Sequence, residues 1–159
     1  MLTYVDASAF VKLFIDEPQS DPLDEYLTGR DLTSSALLRT EARRAVRHLG
    51  VGTVEHAAMA LGVVTLLDVS DEILDRAGML DPRILRSLDA VHVATAMSVA
   101  DDLHALVTYD ARMQRAARVV GLPVESPPKP RGGLAPPCPP RDGAASTSPG
   151  PRSGGSAPG

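Results

Sequence analysis

A single cysteine, Cys138, rules out a disulfide within the chain, and a reducing cytoplasm is the expected setting. Tryptophan is absent and aromatic residues make up only 3% of the chain. A core must therefore be built from Leu, Val, Ile and Ala. The four histidines, His48, His56, His92 and His104, are scattered, which excludes a structural zinc cluster of the Cys/His type. Lysine is confined to Lys12 and Lys129, and every other basic side chain is arginine. No apolar run approaches the roughly 18 residues of a membrane span. Asp6 interrupts the N-terminal apolar stretch before a secretory signal develops.

What remains is an ordinary composition, 43% hydrophobic and 23% charged over 159 residues, enough for one domain and some excess. The excess is visible as a break near Ser126. From there to Gly159 the chain is Pro, Gly, Ser and Ala, and ten of the 14 prolines fall in it. Such a segment buries too little apolar surface to offset its ordering entropy. The expected organisation is a folded domain over 1–125 and a disordered tail over 126–159. Four basic residues against Asp142 give the tail +3, and the total of −4 then leaves −7 on residues 1–125. That is the opposite of a nucleic-acid binder's usual basic footprint, so any polyanionic substrate needs a cation at the site.

Within 1–125, short apolar runs alternate with helical periodicity. Strands are expected at Leu2–Val5, Asp31–Ser34, Leu66–Val69, Ala105–Val107 and Pro123–Glu125. Helices are expected after a Ser8 cap, at Asp21–Thr28, at Leu37–Leu49 behind a Ser35 cap, at Thr53–Val64, from a Ser70 cap to Gly78, at Leu88–Ala100 and at Ala111–Val120. This alternation predicts a layered α/β domain with a parallel sheet. Ligands of such sheets bind beyond the carboxyl ends of the strands, where strand order reverses. Asp6 and Asp110 both follow predicted strands.

Four acids stand out. Asp6 and Asp110 individually suit strand-end turns or helix caps. Glu41 borders the stripe Leu38, Ala42, Ala45 and Leu49, where it can reach water or pair with Arg44. Asp89 is the one charge in Leu88–Ala100, a helix apolar on nearly every side and therefore buried. A buried carboxylate must be paired, protonated or metal-bound. Acids from four separate elements that meet would repel one another. A hard divalent ion, Mg²⁺ or alternatively Mn²⁺, relieves that repulsion through oxygen ligands alone. His92, three residues after Asp89, either orients that carboxylate or is a satisfied core histidine.

The segments YVDASAFVK (Tyr4–Lys12), SALLRTEARRA (Ser35–Ala45), LRSLDAVHVATA (Leu85–Ala96) and VTYDARM (Val107–Met113) occur in this order. In them the chain resembles PIN-domain nucleases, and most closely the VapC-type toxins of bacterial toxin–antitoxin pairs. The resemblance implies a three-layer fold, with about five short parallel strands between helices on both faces. It carries the family's four acids onto Asp6, Glu41, Asp89 and Asp110, with Asp6 and Asp89 as the usual direct metal ligands. The family's small hydroxyl positions fall on Ser8 and Thr108. It implies a Mg²⁺-dependent endoribonuclease, with Ser8 and Thr108 positioning water or a ligand carboxylate. Arg39, Arg43, Arg44, Arg47, Arg83 and Arg86 are candidates for phosphate contacts.

The implied partners are a structured RNA (tRNA or ribosomal RNA), a VapB-like antitoxin docking around residues 8–14 and 37–62, and a second copy of the chain. The alternative is a catalytically inactive PIN-like protein-binding module. Aspartyl phosphotransfer fits poorly. A haloacid-dehalogenase pattern needs an Asp where Ser8 stands, and a receiver domain needs a lysine between Lys12 and Lys129.

Overall fold

The computed structural model describes residues 1–15, 17–81 and 85–127. Five strands, β1 (Leu2–Val5), β2 (Asp31–Ser35), β3 (Thr65–Leu67), β4 (Leu103–Val107) and β5 (Val124–Glu125), form one sheet in the order β3-β2-β1-β4-β5. Every pairing is parallel. The helices are α1 (Ala7–Phe10), α2 (Ser20–Leu27), α3 (Leu38–Val46), α4 (Val51–Leu61), α5 (Asp71–Gly78), α6 (Ser87–Met97) and α7 (Ala111–Val119).

Strand periodicity divides the core. Val5 and Val107 pack with Phe10, Leu23, Leu38, Ala42 and Leu61 from α1–α4. Their neighbours Tyr4 and Leu106 pack with Val93, Ala96, Met113 and Ala116 from α6 and α7. Successive strand residues point to opposite faces, so these clusters cover the two sides of the sheet. The expected α/β layering with helices on both faces is what the chain adopts.

From β1 the chain runs outward to β2 and β3, then returns to place β4 on the other side of β1. Strand order therefore reverses between β1 and β4, and a crevice opens at their carboxyl ends. Asp6 follows β1 directly, and Asp110 lies three residues beyond β4.

Several local expectations shift. Asp6, not Ser8, caps α1 through its side chain, and Ser8 lies inside the helix. Ser35 closes β2, and its hydroxyl accepts from the Leu37 amide at 3.3 Å, while α3 begins at Leu38 with no side-chain cap. The buried stripe of α3 is Leu38, Ala42 and Val46. It stops before Leu49 because Arg47–Leu49 tighten into a 3₁₀ turn. α6 ends at Met97 rather than Ala100. Ser98 bonds back to the Thr95 carbonyl at 2.7 Å, and Asp101 and Asp102 would oppose the dipole at a helix C-terminus. Ser70 caps α5 as expected, accepting from Ile73. At the end of the described region Ser126 donates to the Thr108 carbonyl at 2.6 Å and Tyr109 donates to that of Pro127 at 3.1 Å. The rest of the expected tail, and Arg83, lie outside the described residues.

Candidate active site

The crevice is organised around Asp6, which is 2% exposed. Its Oδ1 accepts from the Ala9 amide at 2.9 Å. Ser8 Oγ lies 2.8 Å from both carboxylate oxygens, and Thr108 Oγ1 donates to Oδ2 at 2.8 Å. Both hydroxyls are themselves anchored by the loop after β4. Tyr109 N–H donates to Ser8 Oγ at 2.8 Å, and Asp110 N–H to Thr108 Oγ1 at 3.1 Å. Each hydroxyl thus accepts from backbone and donates to Asp6. Burial pushes the Asp6 carboxyl above the usual carboxylate range, against the pull of the Ala9 amide and the Ser8 and Thr108 hydroxyls. Ser8 and Thr108 act here by holding the carboxylate.

Glu41 stands on the first turn of α3, facing α6. Its Oε2 lies 2.6 Å from His92 Nε2, and the other ring nitrogen, Nδ1, lies 2.8 Å from the Tyr4 hydroxyl. The pairing with Arg44 is replaced by this one. His92 is buried and satisfied at both nitrogens, and the acid it orients is Glu41, not Asp89. Residue spacing along α6 draws the eye to Asp89; only the meeting of the first turn of α3 with α6 reveals Glu41.

Asp89, near the start of α6, is partly buried, yet its Oδ2 is enclosed and has no hydrogen-bond partner among the described residues. Desolvation raises its carboxyl most, followed by repulsion from Asp110; Arg86 and Arg112 oppose the rise. Asp110 caps α7, its Oδ1 accepting from Arg112 N at 2.7 Å and Met113 N at 3.2 Å. Its expected role as a cap and its place at the sheet edge coexist, because the cap uses Oδ1 alone. Arg112 Nε lies 3.8 Å from the same oxygen.

Among the described residues no three His, Cys, Asp or Glu side chains are gathered tightly enough to form a ready-made cage for an ion. A small hard cation does not need one, since Mg²⁺ is usually held by one or two carboxylates and keeps several waters. The enclosed Asp89 Oδ2 without a partner fits such an ion, and so does an all-oxygen donor set.

Beside Glu41 a groove of about 520 Å³ is walled by Ala7, Leu37, Thr40, Arg44 and Leu88. Of the arginines considered for phosphate contact, Arg44 borders this groove, and Arg39, Arg43, Arg47 and Arg86 are exposed. Among the described residues no helix is long and apolar enough to cross a membrane.

Residues 3–119 match the PIN domain family. Ribonuclease VapC46 of Mycobacterium tuberculosis is 46% identical over 125 residues, spanning 78% of this chain and 96% of the relative. Among solved structures, M. tuberculosis VapC20, described as a sarcin-ricin loop cleaving toxin, superposes with a TM-score of 0.63 at 18% identity, covering 79% of this chain and 99% of that one. A toxin-antitoxin complex from Klebsiella pneumoniae gives 0.59 at 19% identity, covering 80% and 98%.

Proposed function

This chain belongs to the PIN-domain family, with relatives named as VapC ribonucleases, and from that premise we propose that it is a Mg²⁺-dependent endoribonuclease, the toxin of a toxin–antitoxin pair. The observation that carries the reading is a buried, fully oriented Asp6 at the β1–β4 crevice, with an unpartnered Asp89 oxygen on α6.

Asp6 and Asp89 would hold the cation, with Mn²⁺ able to replace Mg²⁺. When bound, such an ion activates water for in-line attack and offsets charge on the phosphoryl oxygens. Glu41 and Asp110 would complete the shell through water or hold a second ion. Ser8 and Thr108 keep the Asp6 carboxylate from turning toward solvent. Arg44, on the groove wall beside Glu41, would meet a phosphate of the RNA. No side chain forms a covalent intermediate in this scheme.

The working unit is residues 1–125, to which Ser126 and Pro127 stay bonded, with the rest of the chain as an appendage, and its place of action is the cytoplasm. The substrate is a structured RNA. The partners are a VapB-like antitoxin and a second copy of the chain, and the Klebsiella complex supports the former. Val51, Met59 and Val63 on and after α4 are exposed apolar side chains, which suits docking there. Purified protein should cleave RNA with Mg²⁺ and stop on addition of EDTA. Asp6→Ala and Asp89→Ala should each abolish cleavage while folding normally. Full activity in either variant, or cleavage indifferent to EDTA, contradicts this reading; protein contacts without cleavage would favour the inactive binding module.

A further inference from the structure

The Glu41–His92 contact continues inward as a line of hydrogen bonds through four elements. The Ser35 amide of β2 donates to the Tyr4 hydroxyl of β1 at 2.9 Å. That hydroxyl meets His92 Nδ1 of α6 at 2.8 Å, and His92 Nε2 meets Glu41 Oε2 of α3 at 2.6 Å. Tyr4 is 0% exposed and His92 1%. The two rings meet edge-on, 5.9 Å apart with an 86° interplanar angle.

For a neutral imidazole, proton counting fixes the direction of the line. An ionised carboxylate only accepts, so Nε2 must carry the hydrogen it shares with Glu41. Tyr4 already accepts from Ser35, and its one hydroxyl proton is free to point at Nδ1, which then offers its lone pair. The imidazole cannot rotate without breaking both bonds inside a dry core, where each lost partner leaves a buried polar atom unsatisfied.

We propose that His92 is a positioning residue for Glu41, presenting Nε2–H to it in a tautomer set from behind by Tyr4. Glu41 is then aimed from the sheet through α6, and is not left to the rotamer freedom of a glutamate on α3. Its placement on the groove wall makes that aim useful. The inference rests on Glu41 belonging to the site proposed above. Partners behind a ligand or near-ligand carboxylate commonly govern metal affinity by roughly 10–100-fold.

The test needs no RNA. Long-range ¹H–¹⁵N correlation on the cation-free full chain should show His92 protonated at Nε2 and bare at Nδ1. A ring protonated at Nδ1 alone, or an even mixture of tautomers, overturns the proposal. Mn²⁺ titration of a double-mutant cycle should show His92→Leu and Glu41→Gln each weakening binding by about tenfold, and the double variant no weaker than Glu41→Gln alone. His92→Gln, which keeps an N–H donor near Nε2, should restore most of the affinity. Additive losses, or undiminished binding in His92→Leu, overturn it. Should His92→Leu not fold, His92→Gln with and without Glu41→Gln completes the comparison. RNA cleavage that fails while this coupling holds sinks the nuclease reading and leaves the positioning role standing.

Discussion

Thr108 serves two neighbours with one oxygen, accepting from the Asp110 amide and donating to Asp6. Thr108→Val keeps the shape and removes both bonds. It should cost about 1–3 kcal/mol in chemical denaturation, since a buried amide and a carboxylate oxygen lose a partner. RNA cleavage should fall by roughly 10–100-fold, because the ligand carboxylate loses its support. A variant that unfolds like wild type and cleaves at full rate would show that Asp6 needs no such buttress. Asp89 was marked by position, since it alone interrupts an apolar helix, whereas Asp6, Glu41 and Asp110 each suited an ordinary turn, cap or surface role and stood out only as a set and through the family resemblance. The hydroxyls of Ser8 and Thr108 were readable only through the family resemblance. The partner of Glu41 was not readable, because it depends on where the first turn of α3 meets α6, and no periodicity in either helix encodes that meeting.

At the scale of elements, α6 explains why it is so poor in large side chains. Ala90, Ala94 and Ala96 are all buried, packed between α5 on one side and the sheet with α7 on the other. Small residues let this helix approach its neighbours and bring His92 within reach of Tyr4. Ala94→Leu should therefore overpack the joint and cost about 1–3 kcal/mol in denaturant unfolding. Wild-type stability would mean that the helix has slack. All five strands could be located, β1 to the residue from its apolar run, but the mostly polar β2 (DLTSS) only weakly. Helix ends were harder. Three of the expected caps rested on a serine near a helix start, and only Ser70 caps by itself. The others lost to a better-placed Asp6 and to the extension of β2 through Ser35, a choice made by strand pairing with β3 rather than by local preference.

For the whole molecule, a desolvated Asp89 repelled by Asp110 implies a fold that is less stable when no cation is bound. Asp89 has its folded carboxyl raised by desolvation and by Asp110. Between the ordinary Asp value of 3.8 and that raised value, the folded state holds more protons than the unfolded one. Stability is thus lost as pH climbs through the window and is recovered below it. Without divalent ions, Asp89→Asn should melt above wild type at neutral pH, and the gap should close on acidification below the ordinary Asp value. Saturating Mg²⁺ should raise the wild-type melting temperature at neutral pH. A gap that widens in acid would reverse the sign argued here. The parallel sheet and its layering followed from the alternation of elements. The order β3-β2-β1-β4-β5 did not, because strand adjacency is settled by long-range pairing. That pairing has a temporal side. The bond joining Thr108 to Asp6 spans 102 positions of sequence, and β1 stays without its β4 neighbour until the last third of the domain has been synthesised. A nascent chain therefore has no assembled crevice until β4 has emerged, and a nuclease of the proposed kind would stay harmless to the machinery translating it up to that point.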